Sequence, residues 1–184
     1  METIETTDLG RFASGASQGK LTSSDIMYLE MVELEDPSYT RSRALLLMNS
    51  QRKGDAQATK RFLDQLMQLP ENQYNPVYLT EYARYYVNKG DYARSLDLAQ
   101  KAERYWARLP SDVVYAKKAE IYEIQAASWQ GRFYKSGEDL ELLENAIRSW
   151  EKYRTHVATQ SRGDLTKKAD TELAELAAMR ARMQ

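Results

Sequence analysis

The sequence has no cysteine and only one histidine, His156. Without cysteine the chain has no disulfide, no thiol nucleophile and no zinc site built on thiolates, and cysteine usage leaves the redox compartment open. One imidazole is too few for a histidine-based metal site or a Ser-His-Asp arrangement. We therefore expect no metal and no cofactor.

Motifs of catalysis are also missing from the sequence. It contains no glycine-rich phosphate loop, no spacing like HExxH and no histidine pair. Glu120 and Glu123 would share one helical face, but carboxylates at this spacing occur in many soluble helices. We expect no catalytic residues and predict that the protein is not an enzyme. An alternative is a helical enzyme or small-ligand binder whose site has no recognisable motif.

The charges nearly cancel, and no long apolar run is present. The chain of 184 residues has 26 basic and 27 acidic side chains, so its net charge of −1 gives no reason to expect binding to nucleic acid. A membrane span needs about 18 apolar residues in a row, and we predict none. The first residues lack the basic start and apolar centre of a signal peptide. This favours the cytoplasm by default; removal of a leader segment would allow the periplasm or envelope.

The clearest pattern that is present lies between Pro76 and Leu109. Apolar residues recur there at offsets of three and four, which is the period of an α-helix, first over residues 79–87 and then over residues 92–106. Between the two runs, Gly90 suits the left-handed end of a helix and Asp91 can cap the next one. This stretch therefore predicts two antiparallel helices joined by a tight turn.

The same turn occurs twice. Gly54-Asp55 precedes Gly90-Asp91 by 36 residues, which predicts repeat units over about 40–73, 76–109 and 112–157. The third unit departs from the pattern, because its first helix continues to about Tyr134 and its turn comes at 136–139. A break at 161–164 precedes a polar capping helix over 164–182. Residues 1–21 are rich in Gly, Ser and Thr and are predicted to be a flexible tail before one repeat domain, 22–184.

A two-helix repeat with this period, with Gly-Asp at the turn and small residues where helices cross, resembles the tetratricopeptide repeat (TPR) family. The match is best in Pro76 to Leu109, where Ala83, Ser95 and Ala102 are the small residues. It extends over about 40–157, although Leu47 replaces one small residue. The resemblance implies an all-α fold, a right-handed stack of antiparallel helix hairpins (a TPR-like solenoid) with about eight helices. It also implies binding of a protein or peptide on the concave face.

Transfer of the family's groove positions gives a candidate binding site on the first helix of each unit. Three arginines in it could hold the carboxylates of a partner by paired hydrogen bonds; alternatively they are solvated, or pair internally with Glu120 and Glu123. The set lacks the Lys/Asn constellation that grips a C-terminal carboxylate, so we do not expect chaperone-tail binding. The candidate groove residues are Arg41, Met48, Arg52, Thr80, Arg84, Asn88, Glu120 and Glu123.

Aromatic residues and charge blocks have both a functional and a structural interpretation. Six tyrosines over residues 74–92 suggest a recognition face or core filling; we expect mainly core, with Tyr78 and Tyr85 the most exposed. The three tryptophans are expected to pack, and His156 to be a favourable charge at a helix C-terminus. An acidic helix over residues 25–36 precedes a basic segment over residues 41–61. Either the basic segment is a docking surface, or the two charge blocks face each other or water.

Together these observations predict a non-catalytic scaffold or adaptor that binds another protein or peptide, for example as an assembly factor in a bacterial envelope or secretion complex. A second hypothesis is a structural repeat protein that self-associates into a homo-oligomer. A molecular mass in solution that rises with protein concentration would favour this second hypothesis. A deep closed pocket would instead favour the small-ligand binder.

Overall fold

The computed structural model of the chain describes residues 6–137, 139–159 and 163–183. These residues form nine α-helices and two short 3-10 helices, Pro70–Tyr74 and Trp106–Arg108, and contain no strand. The chain divides into two compact units, Met1–Gln73 and Tyr74–Gln184. The first unit contains α1 (Thr6–Ser17), α2 (Ser23–Glu30), α3 (Tyr39–Lys53) and α4 (Ala56–Met67). The second contains α5 (Pro76–Asn88), α6 (Tyr92–Arg104), α7 (Ser111–Ser136), α8 (Leu140–Ala158) and α9 (Gly163–Met183).

The N-terminal segment differs from the predicted flexible tail over residues 1–21. Residues 6–17 form α1, which packs on α3 and buries Phe12 and Ala16. Leu21 is also buried, and its N–H donates to Asn49 Oδ1 at 3.2 Å. The few apolar side chains here gain enough contact with α3 to order a segment that is mostly polar. The prediction is therefore wrong for residues 6–21, whereas residues 1–5 lie outside the described part of the chain.

The repeated Gly-Asp turn is confirmed in its hydrogen bonding. Gly54 and Gly90 have φ angles of 69° and 73°, a left-handed conformation that glycine adopts without steric cost. In each turn the glycine N–H donates three residues back and the aspartate N–H donates five residues back. The side chains of Asp55 and Asp91 then accept from the N–H three residues ahead, which caps α4 and α6. The hairpins α3–α4 and α5–α6 therefore share one turn geometry.

The third hairpin has the long first helix that the sequence predicted. Helix α7 runs for 26 residues to Ser136, and Asp139 caps α8 by accepting from the N–H of Leu142 at 3.1 Å. Glu138 of the predicted turn, and Ser161 and Arg162 of the predicted break before α9, lie outside the described residues. The described helices number nine rather than about eight. The handedness and solenoid form implied by the TPR resemblance remain predictions.

The main core of the second unit lies among α7, α8 and α9. Trp150 is almost fully buried there, and its indole N–H donates to Gln130 Oε1 at 2.7 Å. Burial raises the pKa of neighbouring Tyr153 to about 12, with smaller contributions from Glu123 and Tyr115. Trp150 therefore has the packing role predicted for it.

The other tryptophans and the tyrosines give a mixed result. Trp129 is half-buried against the same core, whereas Trp106 is exposed and carries the ammonium group of Lys118 over its ring at 3.4 Å. Tyr86 is buried, but the most exposed tyrosine of the set is Tyr74, not Tyr78 or Tyr85. Burial also raises the pKa of Tyr78. Core filling describes only part of the tyrosine set, and the expected exposure of Tyr78 and Tyr85 is wrong.

Small residues let α5, α6 and α7 approach each other closely. Ala83 and Ser95 are fully buried, and Ser95 Oγ donates to the carbonyl of Ala83 at 2.8 Å. Ser128 of α7 donates in turn to Ser95 Oγ at 2.9 Å. At Gly131 the ring of Tyr92 occupies the space of a side chain, since a Cβ there would lie 2.3 Å from Tyr92 Cζ. The predicted role of small residues at the crossings is confirmed for this hairpin.

Replacing Gly131 by Ala is expected to destabilise the protein because the added methyl displaces the ring of Tyr92. Overpacking costs about 1–3 kcal/mol, and the better helix propensity of alanine returns up to about 1 kcal/mol. We expect a midpoint of thermal unfolding several degrees lower by circular dichroism. Gly163→Ala is the matched control, because no atom of the described residues lies within 4 Å of its Cβ position. A midpoint unchanged in Gly131→Ala would contradict the proposed contact, and Tyr92→Ala should remove most of the penalty in the double variant.

Candidate functional site

Four charged side chains form a closed ring on α5 and α7. Arg84 contacts Glu81 through Nη1 and Glu120 through Nη2, both at 2.9 Å. Lys117 Nζ contacts Glu120 at 2.6 Å and Glu81 at 3.1 Å. Each cation therefore pairs with both carboxylates, and the ring has no net charge.

The ring pairs side chains of opposite charge that lie 36 residues apart in the sequence. Glu81 and Lys117 are separated by 36 residues, and so are Arg84 and Glu120. Within each helix the two members are three residues apart, so they lie on the same face. The ring therefore follows from a charge pattern that reverses sign between α5 and α7.

The ring is partly shielded from water, and this sets its electrostatics. Burial by itself disfavours the ionised form of Glu120, but hydrogen bonds and charges from Lys117 and Arg84 outweigh it, so the pKa of Glu120 is lowered. Burial likewise disfavours the charged form of Arg84, yet Glu81 and Glu120 raise its pKa. Both groups are held in their ionised forms, as partners within the protein.

In the second unit, most candidate groove residues either form ion pairs within the protein or are buried. Arg84 pairs with Glu120 inside the protein, as one of the two interpretations of the arginines predicted. Glu123 instead pairs with Lys168 of α9 at 2.6 Å. Thr80 is fully buried, and its hydroxyl donates to the carbonyl of Pro76 at 2.6 Å. Thr80 is therefore wrong as a partner-contacting residue, because its side chain closes a turn of its own helix.

Two further residues that the sequence singled out are Asn88 and His156. Asn88 is exposed at the C-terminal end of α5. His156, in the last turn of α8, stacks on Tyr115 with ring centroids 4.3 Å apart, and its Nε2 lies 3.0 Å from the carbonyl oxygen of Tyr115. The histidine thus joins α8 to α7.

The three candidate residues of the first unit lie exposed along α3. Arg41, Met48 and Arg52 recur at helical spacing, and Met48 has 40% of its surface exposed. Within the described part of the chain neither arginine has an ion pair or a side-chain hydrogen bond. At 1.5 Å per residue the two arginines are separated by about 16 Å along the helix. We call Arg41, Met48 and Arg52 the α3 stripe.

An open depression lies beside the α5–α6 turn, in the second unit. It has a volume of about 620 Å³ and lies between this turn, the end of α7 and the start of α8. Lys135 lines it and donates from Nζ to the carbonyl of Gly90 at 2.6 Å. The carboxylate in the lining of the depression, that of Asp91, caps α6. The lining has no nucleophile paired with a base, and the described residues contain no His/Asp/Glu cluster suited to a metal ion.

Comparisons with known proteins give no match: no family model, no curated protein and no solved structure is significantly similar to this chain. Within the described residues, no helix has the length and apolar character needed to cross a membrane.

Glu120→Gln tests the contribution of the charge ring. The pKa of Glu120 is lowered in the folded state, so its ionisation stabilises the fold above the ordinary carboxyl pKa of about 4.5, and this stabilisation is lost as the pH falls through the lower folded value. At pH 7 we expect a loss of about 0.5–1.5 kcal/mol in the free energy of unfolding, which is the range for partly exposed pairs in a network. Urea titrations of both proteins across the acid range give the difference.

The difference between the two proteins should shrink as the pH falls from about 4.5 through the lower folded-state pKa of Glu120, because the carboxyl group protonates first in the unfolded chain and only then in the folded protein. Glu123→Gln is the matched control on the same helix. It breaks one exposed pair and should cost only a few tenths of a kcal/mol. A Glu120→Gln penalty that does not vary with pH would contradict the assignment to the ring.

Proposed function

We propose that the protein is a non-catalytic interaction module, built as a TPR-like stack of helix hairpins, which binds a segment of another protein through the α3 stripe. The observation that carries this proposal is the contrast between the two units. Arg41 and Arg52 are exposed and unpaired in the described structure, whereas Arg84 is engaged on both sides by carboxylates.

The repeat spacing explains the contrast. Counting 36 residues back from Arg84 gives Met48, and counting back from Glu81 gives Leu45. The positions that carry charges in α5 and α7 are thus apolar in α3. Leu45 is buried and Met48 is exposed, so α3 has no counterpart of the ring at these positions. Its two exposed arginines, Arg41 and Arg52, are left for an acceptor from outside the described chain.

The chemistry of the stripe favours an acidic segment with an apolar residue between its charges. A guanidinium group binds a carboxylate through two parallel hydrogen bonds, and an unbranched methionine adapts to differently shaped apolar side chains. Carboxylates about 16 Å apart lie roughly eleven residues apart in a helix or about five apart in an extended strand. Either arrangement would reach both arginines.

The test compares the intact protein with Arg41→Ala/Arg52→Ala. Partners captured from a lysate of the source organism are quantified by mass spectrometry, and the strongest is purified and titrated by calorimetry. Hydrogen bonds to charged groups contribute about 1.5–3 kcal/mol each, so the double variant should bind at least tenfold more weakly. Met48→Ala should weaken binding severalfold.

Arg104→Ala/Arg182→Ala is the matched control, since both arginines are exposed and far from α3 in sequence. This variant should bind as the intact protein does. A partner that binds Arg41→Ala/Arg52→Ala with unchanged affinity would show that the α3 stripe is not the site. Failure to capture any specific partner, together with a mass that rises with concentration, would instead support the self-associating repeat protein.

A further inference from the structure

A second surface of the first unit exposes large apolar side chains in a short stretch. Met27 is 62% exposed, Met31 is 73% exposed and Leu34 is 46% exposed. Met27 and Met31 are one helical turn apart, and Met31 keeps helical backbone angles at the end of α2. We call Met27, Met31 and Leu34 the α2 patch. Exposed apolar side chains grouped in this way are typical of interaction sites.

A buried arginine holds the backbone of this patch in place. Arg43 of α3 is only 5% exposed and donates to the carbonyls of Leu29, Glu30 and Val32 at 2.5, 3.1 and 3.1 Å. Its guanidinium group also lies over the ring of Tyr39. These bonds satisfy carbonyls at the C-terminal end of α2 and fix the chain that follows. The methionines are therefore exposed on an ordered backbone, which lowers the entropic cost of binding.

The charged side chains within the segment that carries the patch are all acidic. Residues 21–40 contain five acidic side chains and no lysine or arginine. Two of them are neutralised from other helices, since Arg61 pairs with Glu30 at 2.6 Å and Arg11 with Asp25 at 3.3 Å. Asp36 accepts hydrogen bonds from Ser38. Glu33 and Glu35 are left exposed, and neither has a partner in the described structure.

We propose that the α2 patch is a docking site for a basic amphipathic segment of another protein. The partner's apolar side chains pack on Met27, Met31 and Leu34, while its lysines or arginines face Glu33 and Glu35. Methionine-rich surfaces adapt to differently shaped apolar faces, and the acidic rim selects a basic partner and speeds the encounter. The α2 patch thus has the opposite charge preference to the α3 stripe.

The test uses two labelled amphipathic peptides of about 14 residues, the length of four helical turns. One is built from leucine and lysine, the other from leucine and glutamate. Fluorescence anisotropy with the full chain should show at least tenfold tighter binding of the lysine peptide, weakened by added salt because screening reduces charge attraction. Met27→Ser/Met31→Ser should remove most of this binding. Glu33→Lys/Glu35→Lys should reverse the preference between the two peptides.

Arg41→Ala/Arg52→Ala is the control that separates this proposal from the α3 stripe, and it should bind the lysine peptide unchanged. Circular dichroism verifies that each variant remains helical. Equal binding of the two peptides, or binding unaffected by Met27→Ser/Met31→Ser, would overturn the proposal. So would a concentration-dependent mass that Met27→Ser/Met31→Ser abolishes, because the occupant of the patch would then be a second copy of the chain.

Discussion

Close approach of α5, α6 and α7 is the constraint on which the second unit depends. Helices come this near only where side chains are small, and the contact is made by Ala83, Ser95 and Gly131. In this buried contact the hydroxyl of Ser128 donates to Ser95 Oγ, and the hydroxyl of Ser95 donates to the carbonyl of Ala83. This spacing also brings side chains of α5 and α7 within reach of each other, so that four long charged side chains close into a ring.

The ring limits what the surface of α5 and α7 can bind. An arginine that contacts two carboxylates of its own chain already has its preferred acceptors, and binding a partner there would require breaking those pairs. The positions 36 residues earlier, Leu45 and Met48 of α3, are apolar, and Arg41 and Arg52 nearby on α3 are exposed. The charged side chains of α5 and α7 therefore stabilise the second unit internally, whereas those of α3, as we propose, recognise a partner.

Within the first unit, two surfaces of opposite charge lie on neighbouring elements. The basic α3 stripe and the acidic α2 patch are both exposed, whereas Arg43 of α3 is buried. Although Arg43 lies in the same basic segment as Arg41, it donates to three backbone carbonyls and organises the acidic surface. The charges of the two segments partly face each other through Arg61 and Glu30, which confirms the structural interpretation for that pair.

The sequence by itself determined the two Gly-Asp hairpins and the long α7, because periodicity and Gly-Asp turns act on the local backbone. The acidic helix predicted over residues 25–36 is shorter, since α2 ends at Glu30. The sequence also placed Arg84 and Glu120 on equivalent faces and included their pairing among its alternatives. Only the tertiary structure decided that residues 6–17 form a helix and that Thr80 and Arg43 are buried. These outcomes depend on which distant side chains come within contact distance, because burial and ion pairing are set by the approach of helices and not by local pattern.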